Sequence, residues 1–149
     1  MGTRYLSSNT INVIIVDDNS LFRDVVKRHL YNVLQCNIIG EYSNSETGLL
    51  KKFFPQADVI FMDLQMPQMT GIISALKLLN ERPKAKIIGV TSYKYDGYSH
   101  LLREIGIKAC VHKHNFLDEI VPALECVHSG GLYFKDCYNI NFNNSILYN

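Results

Sequence analysis

Four apolar residues, Val59-Ile60-Phe61-Met62, stop abruptly at Asp63, and a turn-forming stretch follows, Leu64-Gln65-Met66-Pro67-Gln68-Met69-Thr70-Gly71. The run is too short for a helix and too uniformly apolar for a half-exposed strand. It fits the centre of a parallel sheet covered on both faces. That puts Asp63 at the carboxyl end of a strand, where open α/β sheets gather their ligands. Alone, Asp63 would be no more than a turn residue, as Asp often is. Three other stretches give it company.

Ile11 to Val16 reads as a buried strand ending in Asp17-Asp18. Asn19 or Ser20 caps a helix whose apolar positions Phe22, Val25, Val26, Leu30 and Val33 keep helical spacing. Cys36 to Glu41 is a second strand. Ser43-Asn44-Ser45-Glu46 has the form of a capping box and opens a helix through Phe54, stopped by Pro55. After the Asp63 strand, Ile72, Ile73, Ala75, Leu76 and Leu79 mark a helix that ends before Pro83. Ala85 to Val90 is a strand running into Thr91-Ser92, and Tyr98 to Ile105 a short helix stopped by Gly106. Ile107 to His112 is a strand meeting Lys113. Asn115 caps a last helix towards Gly130-Gly131, with Pro122 inside it. Five strands alternating with five helices predict a parallel sheet with helices on both faces and right-handed crossovers. Residues 1–10 read as an N-terminal extension, 11–130 as the folded unit, and 131–149, rich in Asn and Tyr, as a linker or loosely ordered tail.

A formal net charge of +1 lacks the basic footprint of a nucleic-acid binder. No apolar run is long enough to span a bilayer. The first ten residues carry no signal-like apolar core, and Leu6 stands where a myristoylation motif needs Ser or Thr. Cys36, Cys110, Cys126 and Cys137 form no C-x-x-C pair and are expected reduced, in a cytoplasmic setting.

Asp17-Asp18, Asp63, Thr91 and Lys113 thus fall at the carboxyl ends of four strands, on one edge of the sheet. Carboxylates crowded together hold a proton unless a cation joins them. Oxygen donors suit a hard cation such as Mg²⁺. With an ammonium and a hydroxyl added, the set suits a transferring phosphoryl group attacked by a carboxylate.

These residues, in this order and spacing, resemble the receiver domain of bacterial two-component response regulators: Val16-Asp17-Asp18-Asn19, Asp63 through Met66-Pro67 to Gly71, Thr91-Ser92, and Lys113. Ser20-Leu21-Phe22-Arg23 and Ser129-Gly130-Gly131-Leu132-Tyr133 are similar to the NarL/LuxR-type subgroup, where the second stretch leads into a helix-turn-helix domain. The resemblance implies a flavodoxin-like doubly wound fold with five parallel strands in the order 2-1-3-4-5. It implies that Asp63 accepts phosphate from a sensor histidine kinase or phosphotransfer protein, so that the chain is a self-phosphorylating acceptor rather than an enzyme acting on a separate substrate. Asp18 would hold Mg²⁺ directly with Asp63 and the backbone carbonyl of Gln65, and Asp17 through a metal-bound water. Lys113 would pair with Asp63 and then with the phosphoryl group, and Thr91 would move towards it and carry the signal outward. Gln65 and Tyr93 would border the path of hydrolytic water, with Tyr93 shielding the acyl phosphate. Homodimerisation is compatible with the resemblance, while direct nucleic-acid or membrane binding by this chain is not expected.

Three positions depart from the family pattern: Cys110 replaces a usual aromatic, His114 a usual Pro or Asp, and Thr70 a frequent Asp. They leave the phosphorylation chemistry intact and bear on the switch. Met62, Met66, Met69 and Cys126 are expected in packing, and His112 and His114 on the surface. Three rivals remain: a receiver belonging to a longer DNA-binding regulator, a pseudo-receiver that only binds partners, and an unrelated phosphatase with an aspartate nucleophile. Gln65 speaks against the last, because it stands where such enzymes place a second Asp.

Overall fold

The computed structural model describes residues 10–33, 35–44, 54–66, 71–92 and 98–135. Strand β1 is Ile11–Val16, helix α1 Ser20–Val33, β2 Cys36–Tyr42, β3 Val59–Asp63, α2 Gly71–Glu81, β4 Ile87–Thr91, α3 Tyr98–Ile105, β5 Ala109–His112, α4 Phe116–His128 and β6 Tyr133–Phe134. All pairings are parallel, in the order β2-β1-β3-β4-β5-β6.

Every residue of β3 and β4 is buried, as a central strand of a two-sided sheet requires. Alternate residues feed two cores. Val13, Ile15, Phe61, Ile88, Val90 and Val111 face α1 and α4, meeting Val26, Leu30, Ile120 and Leu124. Ile14, Val16, Ile60, Met62, Ile87 and Cys110 face α2 and α3, meeting Ala75, Leu78, Leu79 and Leu102. Phe116 stands edge-on to both Phe22 and Phe61, at 5.0 and 6.4 Å between ring centroids, and ties α1 and α4 to the central strand.

The expected strand order holds for β1 to β5, and helices follow β1, β3, β4 and β5 as expected, but the sheet has a sixth strand where 131–149 was expected to be linker or tail. The cause is a turn at the end of α4. Gly130 takes φ +92°, a left-handed conformation that glycine adopts without strain. The Gly131 N–H then donates to the Cys126 carbonyl at 2.9 Å, and the chain doubles back so that the Tyr133 N–H reaches the Lys108 carbonyl at 2.9 Å. Tyr133 pairs with Ala109 and Phe134 with Cys110. Arg103 of α3 lies over the Phe134 ring at 4.7 Å, and Lys135 pairs with the buried Glu119 of α4 at 2.9 Å. Residues 136–149 lie outside the described residues.

Smaller expectations shift. Asn19 is the α1 cap, accepting the Phe22 N–H at 3.1 Å, whereas Asn115 makes no side-chain capping bond to α4. Thr91 is the last residue of β4 rather than the one after it, and β5 begins two residues later than Ile107. The expected helix from the Ser43 capping box falls mostly on 45–53, outside the described residues; Phe54–Gln56 is a single 3-10 turn.

Candidate functional site

Parallel strands bring their carboxyl ends to one edge, so Asp17 after β1, Asp63 at the end of β3, Thr91 at the end of β4 and Lys113 after β5 share it. Each of Asp17, Asp18 and Asp63 offers a carboxylate oxygen, and the three oxygens lie within 4.8 Å of one another. Asp17 and Asp63 are buried and Asp18 is exposed, so the cluster has a solvent side.

Each buried carboxylate is held by its own turn. The Asn19 N–H donates to Asp17 Oδ1 at 2.8 Å, and the Gln65 N–H to Asp63 Oδ1 at 2.9 Å. Arg23 donates from its guanidinium to the Asp17 carbonyl at 2.6 Å and pairs through Nε with Glu41 at 2.7 Å, which locks the β1 turn to β2. At Gly71 the chain also lies very close to the end of β3. A Cβ at Gly71 would stand 1.8 Å from the Asp63 carbonyl oxygen, so only glycine fits.

Lys113 bridges the two buried carboxylates, with its ammonium 2.8 Å from Asp17 Oδ2 and 3.5 Å from Asp63 Oδ2. The contact to Asp17 is a short ion pair, and it is the closer of the two. The same ammonium sits 4.5 Å from the centre of the Phe22 ring, whose electron-rich face favours a cation.

One ammonium does not offset three carboxylates. Burial pushes the Asp63 carboxyl up from its ordinary 3.8 to about 6, with the charge of Asp17 and the neighbouring Asp18 adding to the rise. The Gln65 N–H and Lys113 oppose it without cancelling it. Three carboxylate oxygens gathered within 4.8 Å, one of them on an acid that holds its proton too tightly, are a donor set that fits a hard divalent cation.

Thr91 is fully buried, and it meets the site through Gln65. The Gln65 side chain donates from Nε2 to Thr91 Oγ1 at 2.8 Å and accepts the Ser92 N–H on Oε1 at 3.0 Å. Reading the sequence did not anticipate this link, and the residue types alone carry no signal for it. The same holds for Phe22 beneath Lys113, which helical spacing marks only as a core residue. His112 was expected on the surface but is buried, since it pairs with Thr91 across two covered strands. It accepts the His114 N–H on Nδ1 at 3.1 Å and stacks on that ring at 4.9 Å. Cys126, expected in the core, is half-buried, and its thiol lies 3.3 Å from the Leu132 carbonyl. Met62 and Met66 are buried as expected, while Met69 and Tyr93 lie outside the described residues.

A family model described as "Response regulator receiver domain" matches residues 13–125. The chain is 31% identical over 125 residues to the response regulator GacA of Pseudomonas protegens, covering 84% of this chain and 59% of that protein. It is 28% identical to the response regulator UvrY of Escherichia coli, covering 83% and 56%. It therefore spans a little over half the length of these curated relatives. Among solved structures it is similar to the isolated receiver domain of RcsB from Salmonella enterica serovar Typhimurium, with TM-score 0.75, 24% identity, and coverage of 87% of this chain and 96% of that one. A CheY-like receiver domain protein from Methanospirillum hungatei shares the fold at TM-score 0.63 and 23% identity, covering 83% and 100%. Among the described residues, no helix is long and apolar enough to cross a membrane.

Proposed function

The chain belongs to the response regulator receiver domain family, and on that premise we propose that Asp63 is the phosphoacceptor of a two-component phosphorelay. The observation that carries the reading is the convergence of Asp63 with Asp17, Asp18 and the bridging Lys113 at one sheet edge. An Asp63 carboxylate oxygen attacks the phosphorus of a phosphohistidine on a sensor kinase or phosphotransfer protein. The P–N bond breaks, and the imidazole leaves with the electron pair. Asp18, Asp63 and the Gln65 carbonyl would hold Mg²⁺, with Asp17 acting through a metal-bound water, and the ion would supply charge compensation for the phosphoryl oxygens. Lys113 donates to the phosphoryl group from the side of β5, and the Thr91 hydroxyl reaches it from β4. Arg23, Phe22 and Gly71 hold the groups that do this without touching the phosphoryl group themselves.

The relatives include proteins named as transcriptional regulators, such as DegU of Brevibacillus brevis, 28% identical over 130 residues. We read residues 11–130 as the receiver unit of a regulator of that kind, with β6 on the route to its output. The test is intact mass after incubation with acetyl phosphate and Mg²⁺. The wild type gains one labile phosphoryl group and Asp63→Asn gains none. Equal labelling of the Asn variant refutes the assignment.

A further inference from the structure

Both ends of the Gln65 amide are occupied by consecutive residues at the end of β4, and this fixes which way round it lies. The Ser92 N–H can only donate, so the amide end facing it, at 3.0 Å, is Oε1. The other end, 2.8 Å from Thr91 Oγ1, is then the NH₂ group, and the Thr91 hydroxyl is the acceptor of that bond. A hydroxyl that accepts there directs its own proton away from the amide, and accepting a hydrogen bond strengthens it as a donor. The backbone N–H of the same Gln65 holds Asp63 Oδ1 at 2.9 Å. One residue therefore ties the end of β3 to the end of β4: its main chain holds the acceptor carboxylate, and its side chain orients the neighbouring hydroxyl.

We propose that Gln65 is a positioning residue for phosphoryl binding at Asp63, acting through Thr91: its amide fixes the Thr91 hydroxyl as a donor towards a phosphoryl oxygen. This rests on the reading of Asp63 as phosphoacceptor. The rival role for the same side chain is to hold a hydrolytic water at the acyl phosphate, which needs no Thr91 hydroxyl. The two roles separate in a double-mutant cycle, because residues acting through one another are non-additive.

The experiment uses the full chain with Mg²⁺ and four proteins: wild type, Gln65→Met, Thr91→Val and the double variant. Half-saturation by beryllofluoride and the lifetime of the acetyl phosphate label are measured on each. Gln65→Met keeps the length of the side chain and loses both hydrogen bonds; it is expected to weaken beryllofluoride binding about fivefold, the scale of one well-placed hydrogen bond. In the Thr91→Val background the same substitution should change binding by less than about twofold. In a Thr91→Ser background, which keeps the hydroxyl, the full penalty should return. Gln65→Ala repeats the cycle if the Met variant folds poorly. A Gln65 penalty that persists undiminished beside Thr91→Val overturns the proposal, as does a changed label lifetime with unchanged beryllofluoride binding. A wild type that takes up no label overturns the phosphoacceptor reading and this inference with it.

Discussion

Replacing Asp63 by Asn should stabilise the protein in the absence of divalent cation, and the gain should grow with pH. The Asp63 carboxyl titrates at about 6 in the folded chain against 3.8 ordinarily, so the folded state binds its proton more tightly than the unfolded state does. For a carboxyl shifted upward, the associated stability is fully present below 3.8 and is lost as pH rises through about 6. Above that, the ionised group sits buried beside Asp17 at a net cost. The gap between 3.8 and about 6, at 1.36 kcal/mol per pH unit, bounds that cost at about 3 kcal/mol. Exposed Asp18 opens the cluster to solvent, and screening through it should cut the figure to about 1–2 kcal/mol. Asn is neutral at every pH and nearly the shape of the protonated acid, so it removes the cost. Urea unfolding of both proteins at pH 3, 6 and 8 in EDTA should give curves that nearly coincide at the lowest pH and separate by the stated amount at the highest. Millimolar Mg²⁺ should then close the gap from the wild-type side, because a ligand that binds only the folded state stabilises it by mass action. Wild type and variant that stay parallel from pH 3 to 8 in EDTA would refute the account of a crowded, undercompensated site.

Lys113→Met removes the cation nearest Asp63, so the Asp63 carboxyl should titrate above its present value of about 6; carboxyl-carbon NMR reads this directly, and an unchanged midpoint would count against the bridge. Gly71→Ala drives a Cβ into the Asp63 carbonyl and should cost about 2–3 kcal/mol in urea unfolding together with loss of acetyl phosphate labelling; a cost under about 0.5 kcal/mol would mean the loop yields freely. Phe134→Ala deletes the half-buried ring beside Cys110 and under Arg103. It should cost about 1–2 kcal/mol and speed amide exchange at Tyr133; unchanged exchange there would show that β6 stands without its ring.

Cys110 shows where reading residues one strand at a time stops. Its own position carries no ring to pack at the edge of the sheet. The register places Phe134 beside it, so an aromatic does reach that surface, from a strand two residues long. Two residues have no measurable period, and Tyr-Phe in an Asn-rich stretch does not announce a strand.

The sequence by itself determined the α/β alternation, the order in which the strands arrive, and the placing of Asp17, Asp18, Asp63, Thr91 and Lys113 on one sheet edge. It could do so because apolar periodicity is local and because parallel strands all point the same way. Distances between groups far apart in the chain were decided only by the tertiary structure. Lys113 lies closer to Asp17 than to Asp63, the Phe22 ring lies under its ammonium, and the Gln65 amide spans from β3 to β4. The burial of His112 and the sixth strand belong to the same class, since each depends on what another element leaves uncovered. Residue type and spacing say which edge a side chain reaches. Which partner it meets there depends on twist, register and packing that no short stretch of chain contains.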